Sequence, residues 1–382
     1  MPAAANNLTT LPPSPDVIVI GGGIHGCSTS LHLALLGVKV LVIEKDHAGR
    51  HASGVNAGGV RRLGRHLAEI PLSVASMAIW HDIEALVDDD CGFEACGQVK
   101  IAESEADLAT LRSRVELVRA QGFDHEELIG RAELRRLLPA VAEHCVGGVV
   151  VRDDGAANPY RTTLAFKRKA ESLGVRFLEG THVTGLARAG AVWRVATDKG
   201  SHEAAKIVNC AGAWAGRIAL MLGEPVPLEA IAPMMLITAP MPRFLTPVVG
   251  ATSRPLSFKQ MPNGTVMIGG GRLGTAHPEH NTTDLDFVRL ALSAQTVLDL
   301  FPVMKDAQVV RCWSGIEARM PDEIPVLGPS STSEGVFHAF GFSAHGFQMG
   351  PGCGALMARL VTGAATNLPL QPFDIRRFLK TQ

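Results

Sequence analysis

The sequence predicts an α/β fold in which a Rossmann-like dinucleotide-binding domain is interleaved with a domain built on an antiparallel β-sheet. Three observations carry this: a strand-turn-helix-strand unit with a glycine fingerprint near the start, a hairpin meander later in the chain, and a set of apolar strands between 225 and 305. DVIVI (16–20) is an unbroken apolar run, the pattern of a parallel strand buried on both faces. GGGIHG follows, then an apolar-periodic helix ending at Gly37, and VKVLVIEK supplies the second strand. The unit holds Gly21-x-Gly23-x-x-Gly26, with Glu44 eighteen residues beyond the last glycine. Gly21 permits the sharp turn, Gly23 lets backbone approach a pyrophosphate, and Gly26 lets helix pack on strand. The free N–H groups of the helix start face the phosphates, and Glu44 accepts hydrogen bonds from the ribose hydroxyls.

Residues 46–66, DHAGRHASGVNAGGVRRLGRH, are too rich in Gly, Ser, Asn and Arg for core and read as a loop wrapped around a ligand. A nicotinamide enzyme usually continues with another βα unit here, whereas such a loop is the habit of flavin proteins of the glutathione-reductase-like class. Segment 175–200 reads as a strand followed by hairpin strands, and AAKIVNCAGAWAG (204–216) as a strand ending in small residues. IAPMMLITAP, PLSFKQM and GTVMIGGG are the apolar strands of the second domain. Asn263-Gly264 makes a hairpin turn between the last two, and TTDLDFVRLALSAQTVLDLF an amphipathic helix. GVFHAFG (335–341) is a further strand, after which a glycine-rich turn leads into a helix.

Composition excludes several classes. With 36 basic and 37 acidic residues there is no global field for nucleic acid, so an anion must be met by a local site. The seven cysteines are odd in number and scattered without zinc or iron–sulfur spacing, which points to a reducing, cytoplasmic compartment and to no metal. His277 and His280 read as surface residues. MPAAANNLTTLPPSP has neither a basic start nor an apolar core and reads as a loose tail, and no stretch is apolar and long enough to span a membrane. Ser343 lacks the glycine spacing of a nucleophile elbow, which sets hydrolase chemistry aside.

The GGGIHG unit with Glu44, NCAGAWA, PDEIPVLG and GFSAHGFQMGPG together resemble the D-amino acid oxidase superfamily of FAD enzymes, which includes glycine oxidase and the sarcosine oxidases. Within it, RHASGVNAGGVRRLGRH followed by LAEIPLS is similar to the flavin-bearing B subunits of opine (octopine or nopaline) oxidases. The resemblance implies an FAD-binding domain from 1–88, 142–224 and 306–382 and a substrate-binding domain from 89–141 and 225–305, the substrate lying where the second sheet covers the flavin. It puts Gly21, Gly23 and Gly26 on the pyrophosphate and Glu44 with Lys45 at the adenosine. Ser53, Asn56, Ala57 and Gly58 follow the flavin side, Val183 meets the adenine, and Ala211, Gly212 and Trp214 lie beside the cofactor. Gly341, His345, Gly346, Phe347 and Gln348 lie against the isoalloxazine, where a helix start favours the charge of a reduced flavin.

Departures from the family pattern shape the functional expectation. Glycine oxidases hold the substrate carboxylate with an arginine at the position of Glu317, so another cation has to compensate. Arg61 or Arg62, just after NAGG, is the expected bidentate clamp, with Arg65 nearby and Glu317 facing the amine or a cationic tail. His345 is a hydrogen-bonding or charge-tuning group. Monomeric sarcosine oxidases join FAD to a cysteine where Met320 stands and activate oxygen with a lysine near Met267, so FAD is expected to be non-covalent and reaction with oxygen slow. FMN bound non-covalently at a subunit interface is also implied, as is a larger partner subunit with an iron–sulfur centre. The expected reaction is oxidation of a carboxylated secondary amine by hydride transfer to flavin N5, the imine being hydrolysed to an amino acid and a 2-oxo acid. The alternatives are a stand-alone, oxygen-using glycine or sarcosine oxidase, and a subunit whose FAD is structural.

Overall fold

The computed structural model describes residues 14–379, so all but the last two residues of the expected N-terminal tail lie outside the described residues. Strand Val17–Ile20 pairs in parallel with Val40–Ile43 on one side and Lys206–Asn209 on the other. Its side chains alternate between two cores, as strand geometry requires. Val17 and Val19 join Val40 and Val42 beneath the helix Ile24–Leu35, while Ile18 and Ile20 join Leu41 and Ile43 against Trp193, Val195 and Ile218. An apolar run without alternation is thus accounted for by cover on both faces. The complete sheet has six strands, in the order 326–329, 336–340, 206–209, 17–20, 40–43, 176–178, and only its first pair is antiparallel. Helix Gly350–Thr362, from the far end of the chain, shares the first core through Cys353 and Met357 with Cys27 and Leu31 of the opening helix.

The second sheet has eleven strands and its own core around Val99, Phe258, Ile268 and Phe301. It is antiparallel apart from one joint, where Val248–Ala251 lies parallel to Gln98–Ala102. The expected hairpin at Asn263-Gly264 closes on Met261 and Thr265. Pairing draws this unit wider than the expected 89–141 and 225–305. Gly147–Val151 bonds to Gln98–Ala102 and Glu127–Gly130, and Val309–Ser314 and Glu317–Arg319 bond to Glu229–Thr238. An apolar run in sequence reports burial, not which of two sheets a strand joins.

One polar group under the first sheet has no exposure at all. His338 Nε2 lies 2.9 Å from Glu224 Oε2, and Glu224 also accepts from Ser331 N at 2.6 Å. Burial pushes the Glu224 carboxyl up, but the His338 bond and charge and the serine donors outweigh it and leave its pKa at about 2. This depressed value contributes stability that is present above the unfolded carboxyl pKa and lost as pH falls from ~4.5 towards 2. Glu224→Ala should therefore cost about 3–5 kcal/mol at pH 7 by removing one partner of a buried, hydrogen-bonded pair. Urea midpoints of variant and wild type should converge between pH 5 and pH 3; an equal gap at both would overturn the assignment.

Candidate cofactor and substrate site

A cavity of about 760 Å³ runs from the glycine turn at one end to the inner face of the second sheet at the other. At the first end Gly21 has φ of 109°, closed to most side chains, and a Cβ on Gly26 would stand 1.9 Å from the Gly21 carbonyl. Gly26 therefore serves the seating of the helix and does not line the cavity. A Cβ on Gly23 would stand 2.8 Å from Ser53 Oγ, which itself accepts the Ile24 N–H at 2.9 Å. Glu44 accepts Gly22 N through Oε2 at 2.6 Å and Asp46 N through Oε1 at 2.8 Å, and burial raises its pKa. Each oxygen keeps a second lone pair for a ligand hydroxyl. Lys45 sits 3.8 Å above the Trp214 ring and donates to Asn281 Oδ1 at 2.6 Å. Val183, Ala211 and Gly212 line the same end.

The loop through Ser53, Asn56, Ala57 and Gly58 forms the middle of the wall. The Asn56 side chain is spent on the loop itself, donating to Ala52 O at 2.9 Å and accepting from Gly58 N at 2.8 Å. Lys259 changes the expectation of a site without a cation near Met267. It is the register partner of Met267 on the neighbouring strand, is 6% exposed, and its Nζ would lie 3.1 Å from a Cβ on Gly58. Burial lowers its pKa to about 8. Reading one strand position could not find an ammonium supplied by the adjacent strand.

Gly341, His345, Gly346 and Phe347 line the cavity from the C-terminal turn. Ser343 and Ala344, at φ of 51° and 65°, hold that turn in left-handed backbone, which costs non-glycine residues roughly 1–2 kcal/mol each. His345 is bonded on both ring nitrogens, to Ser343 O at 2.8 Å and to Glu69 Oε1 at 2.8 Å. Burial raises the Glu69 pKa, but His345, Arg65 and Arg61 more than reverse this and leave it below the usual carboxylate range. Gln348 does not reach the cavity: its amide bonds Arg65, Ser73 Oγ and Ser73 O from a fully buried position.

Of the two adjacent arginines, only Arg61 faces the cavity. Arg62 is held outside it by Asp153 and Asp154. Arg61 donates to Leu63 O at 2.5 Å and has no carboxylate partner within 4 Å among the described residues. Arg65, 2% exposed, bonds His345 O at 2.6 Å and Arg61 O at 3.2 Å. Opposite them Glu317 has its pKa raised to about 7 by burial, with the Ala344 N–H acting against the shift. The geometry adds Lys100, Gln98 and His25 to the cavity wall and places Lys259 beside the Gly58 loop, four residues that sequence reasoning missed. The His25 ring stacks on Phe342 at 3.6 Å, burial lowers its pKa to about 3, and its buried Nε2 has no partner. A polar residue at a variable position of the glycine motif was the available signal.

These features fit a bound dinucleotide: a helix start with free N–H groups, an acid with spare lone pairs, a glycine surface that a Cβ would occupy, and an orphaned imidazole. Residues 16–360 match the DAO family, described as FAD dependent oxidoreductase. The chain is 26% identical over 410 residues to hydrogen cyanide synthase subunit HcnC of Pseudomonas aeruginosa, covering 95% of this chain and 96% of that one. It is also 26% identical over 384 residues to mouse mitochondrial sarcosine dehydrogenase, of which it spans 42%. Its fold is similar to the crystal structure of glycine oxidase from Geobacillus kaustophilus, with a TM-score of 0.89, 23% identity, and coverage of 97% of this chain and 100% of that one.

Two measurements test the site. Gly23→Ala should lose most bound FAD with melting behaviour largely kept, whereas Gly26→Ala, which drives a methyl into backbone, should impair folding itself. Full flavin content in Gly23→Ala would show the pyrophosphate to lie elsewhere. Met320 packs under Gly341, and the thiol of Cys210, the one cavity-lining cysteine among the described residues, is pushed up to about 12 by burial. Acid precipitation should therefore release all the flavin, and a yellow pellet would contradict this.

Proposed function

The chain belongs to the DAO family of FAD dependent oxidoreductases, and on that premise we propose that it oxidises a carboxylated secondary amine of the opine kind. The products are an amino acid and a 2-oxo acid, formed when water hydrolyses the imine. FAD, when bound, supplies the acceptor for the hydride leaving the carbon next to nitrogen. The observation that carries the reading is that Arg61, without a carboxylate partner among the described residues, and Glu317, with a pKa of about 7, line the same cavity. Arg61 presents a planar fork to the substrate carboxylate. Glu317 takes a proton from the substrate ammonium, freeing the nitrogen lone pair that assists hydride departure. Arg62 has no part in this reading, because its guanidinium already has two aspartates.

The reading extends to a cytoplasmic heteromeric complex in which electrons pass to a larger subunit with an iron–sulfur centre. FMN, bound non-covalently at the interface, belongs to the same reading. The similarity to HcnC, a subunit of hydrogen cyanide synthase, supports it, as does the scatter of seven free cysteines in this chain. A second reading, a stand-alone oxygen-using oxidase, is favoured by Lys259, whose buried ammonium stands beside the Gly58 loop. Stopped-flow reoxidation separates the two. Faster electron transfer to a dye than to oxygen supports the complex, and equal rates support the oxidase.

Anaerobic mixing with a series of carboxylated amines should bleach the bound FAD; no bleaching by any of them would leave a subunit whose FAD is structural. Arg61→Ala should lower kcat/KM for all carboxylated amines by roughly ten- to a hundred-fold, the equivalent of one charge-assisted contact, and a silent change would end the clamp. Since Glu317 acts as a base, kcat/KM should rise as pH climbs through about 7, and Glu317→Gln should abolish that limb.

A further inference from the structure

We propose that Lys100 and Gln98 form a second recognition site in this cavity, one that holds a second carboxylate of the substrate, so that the preferred amine is a dicarboxylate. The inference rests on the amine-oxidation reading above and names the residues that meet the carboxylate on the second nitrogen substituent, which that reading requires but assigns to no side chain. Along the strand Gln98–Ala102, Val99 and Ile101 point into the core of the second sheet, so period-two alternation turns Gln98 and Lys100 to the opposite, cavity-lining face. Across the parallel joint the register partner of Lys100 is Gly250, which has no side chain to fill the space beside the ammonium. Both Gly250 and Val248, the partner of Gln98, line the cavity as well.

The hydrogen-bond and charge accounting is incomplete at this face. Gln98 Oε1 is buried and has no donor. Lys100 has no carboxylate within 4 Å among the described residues; Glu126 bears on both Lys100 and Arg61, and Asp154 and Glu69 bear on Arg61, but each of these acids is already committed. Glu126 accepts from Arg114 and from Gly64 N, Asp154 from Arg62 and from Leu63 N, and Glu69 from His345. Lys100 and Arg61 are left as neighbouring cations that repel one another, and burial together with Arg61 lowers the Lys100 pKa. Two neighbouring cations without a bonded acid, both lining one cavity, match a ligand with two carboxylates. Arg61 takes the one next to the reacting carbon and Lys100 the one on the other nitrogen substituent, while Gln98 accepts a substrate N–H.

Holoenzyme binding of two unreactive thioethers, followed through the flavin absorbance, tests this without turnover. Thiodiacetate carries two carboxylates and methylthioacetate one. Wild type should bind thiodiacetate at least ten-fold more tightly. That preference should fall ten-fold or more in Lys100→Met and in Lys100→Gln and be largely restored in Lys100→Arg. The ratio of kcat/KM for iminodiacetate over N-methylglycine should move in parallel. No preference in wild type, or a preference unchanged in both neutral variants, overturns the inference while leaving amine oxidation standing. Failure of both thioethers to bind, with no bleaching by either amine, overturns the amine reading as well.

Discussion

The site depends on a guanidinium buried where no carboxylate pairs with it. Arg65 is enclosed between the loop that follows the glycine unit and the turn that precedes the last helix, and every atom it bonds is a carbonyl or amide oxygen: His345 O, Gln348 Oε1 and Arg61 O. A buried arginine is expensive unless its fork is filled, so these oxygens have to stand where they do. The bond to Arg61 O sets the backbone from which the Arg61 side chain reaches the cavity, and the bond to His345 O fixes the turn carrying the cavity face of His345, Gly346 and Phe347. Glu69, held against His345, supplies the nearby negative charge. Segments separated by about 280 positions in sequence are thereby locked into one wall.

Parts of this were legible from sequence because they obey short-range rules. Gly21, Gly23, Gly26 and Glu44 have a fixed spacing because a turn, a helix start and a strand end stand in fixed relation, and the structure brings three of the four to the cavity with Gly26 packed behind. Arg61 and Arg62 could not be separated, since a loop has no period and the choice between them is made by Asp153 and Asp154, 91 or more positions away. Gln348 was expected at the cofactor from the family resemblance, but its side chain is fully buried and bonded to Ser73 and Arg65, partners more than 270 positions away. Lys259 and Lys100 were hidden for the opposite reason. Each lies in an apolar strand where a lysine reads as an edge or surface residue, and only the tertiary structure turns Lys100 to the cavity and buries Lys259 beside the Gly58 loop.

The same chamber collects the costs of the fold. Left-handed Ser343 and Ala344, an acid with a raised pKa at Glu317 and cations without acids at Arg61 and Lys100 are all features that a sequence selected for stability alone would shed. Their concentration around one cavity is the pattern expected where strain and charge are kept for binding. Any ligand that neutralises those cations binds the native state alone and adds to its stability by mass action.

The order of strands in the six-stranded sheet also bears on how the chain is made. Strand 17–20 and the helix behind it gain the neighbour 40–43 at once, but the other neighbour, 206–209, and the strand beyond it, 336–340, come much later, and the helix face bearing Cys27 and Leu31 is covered by residues 350–362. At a ribosomal rate of about 5–20 residues per second, on the order of 15–60 s separates that helix from its cover. Throughout that interval a nascent chain presents an apolar helical face and a strand lacking one hydrogen-bonded neighbour, the kind of surface that chaperones hold and that other nascent chains can capture. Closing so long a loop also slows the search for the native sheet. The last helix is therefore the latch of a domain begun more than three hundred residues earlier, and a chain cut short before it would leave the nucleotide fold open however intact the glycine unit is.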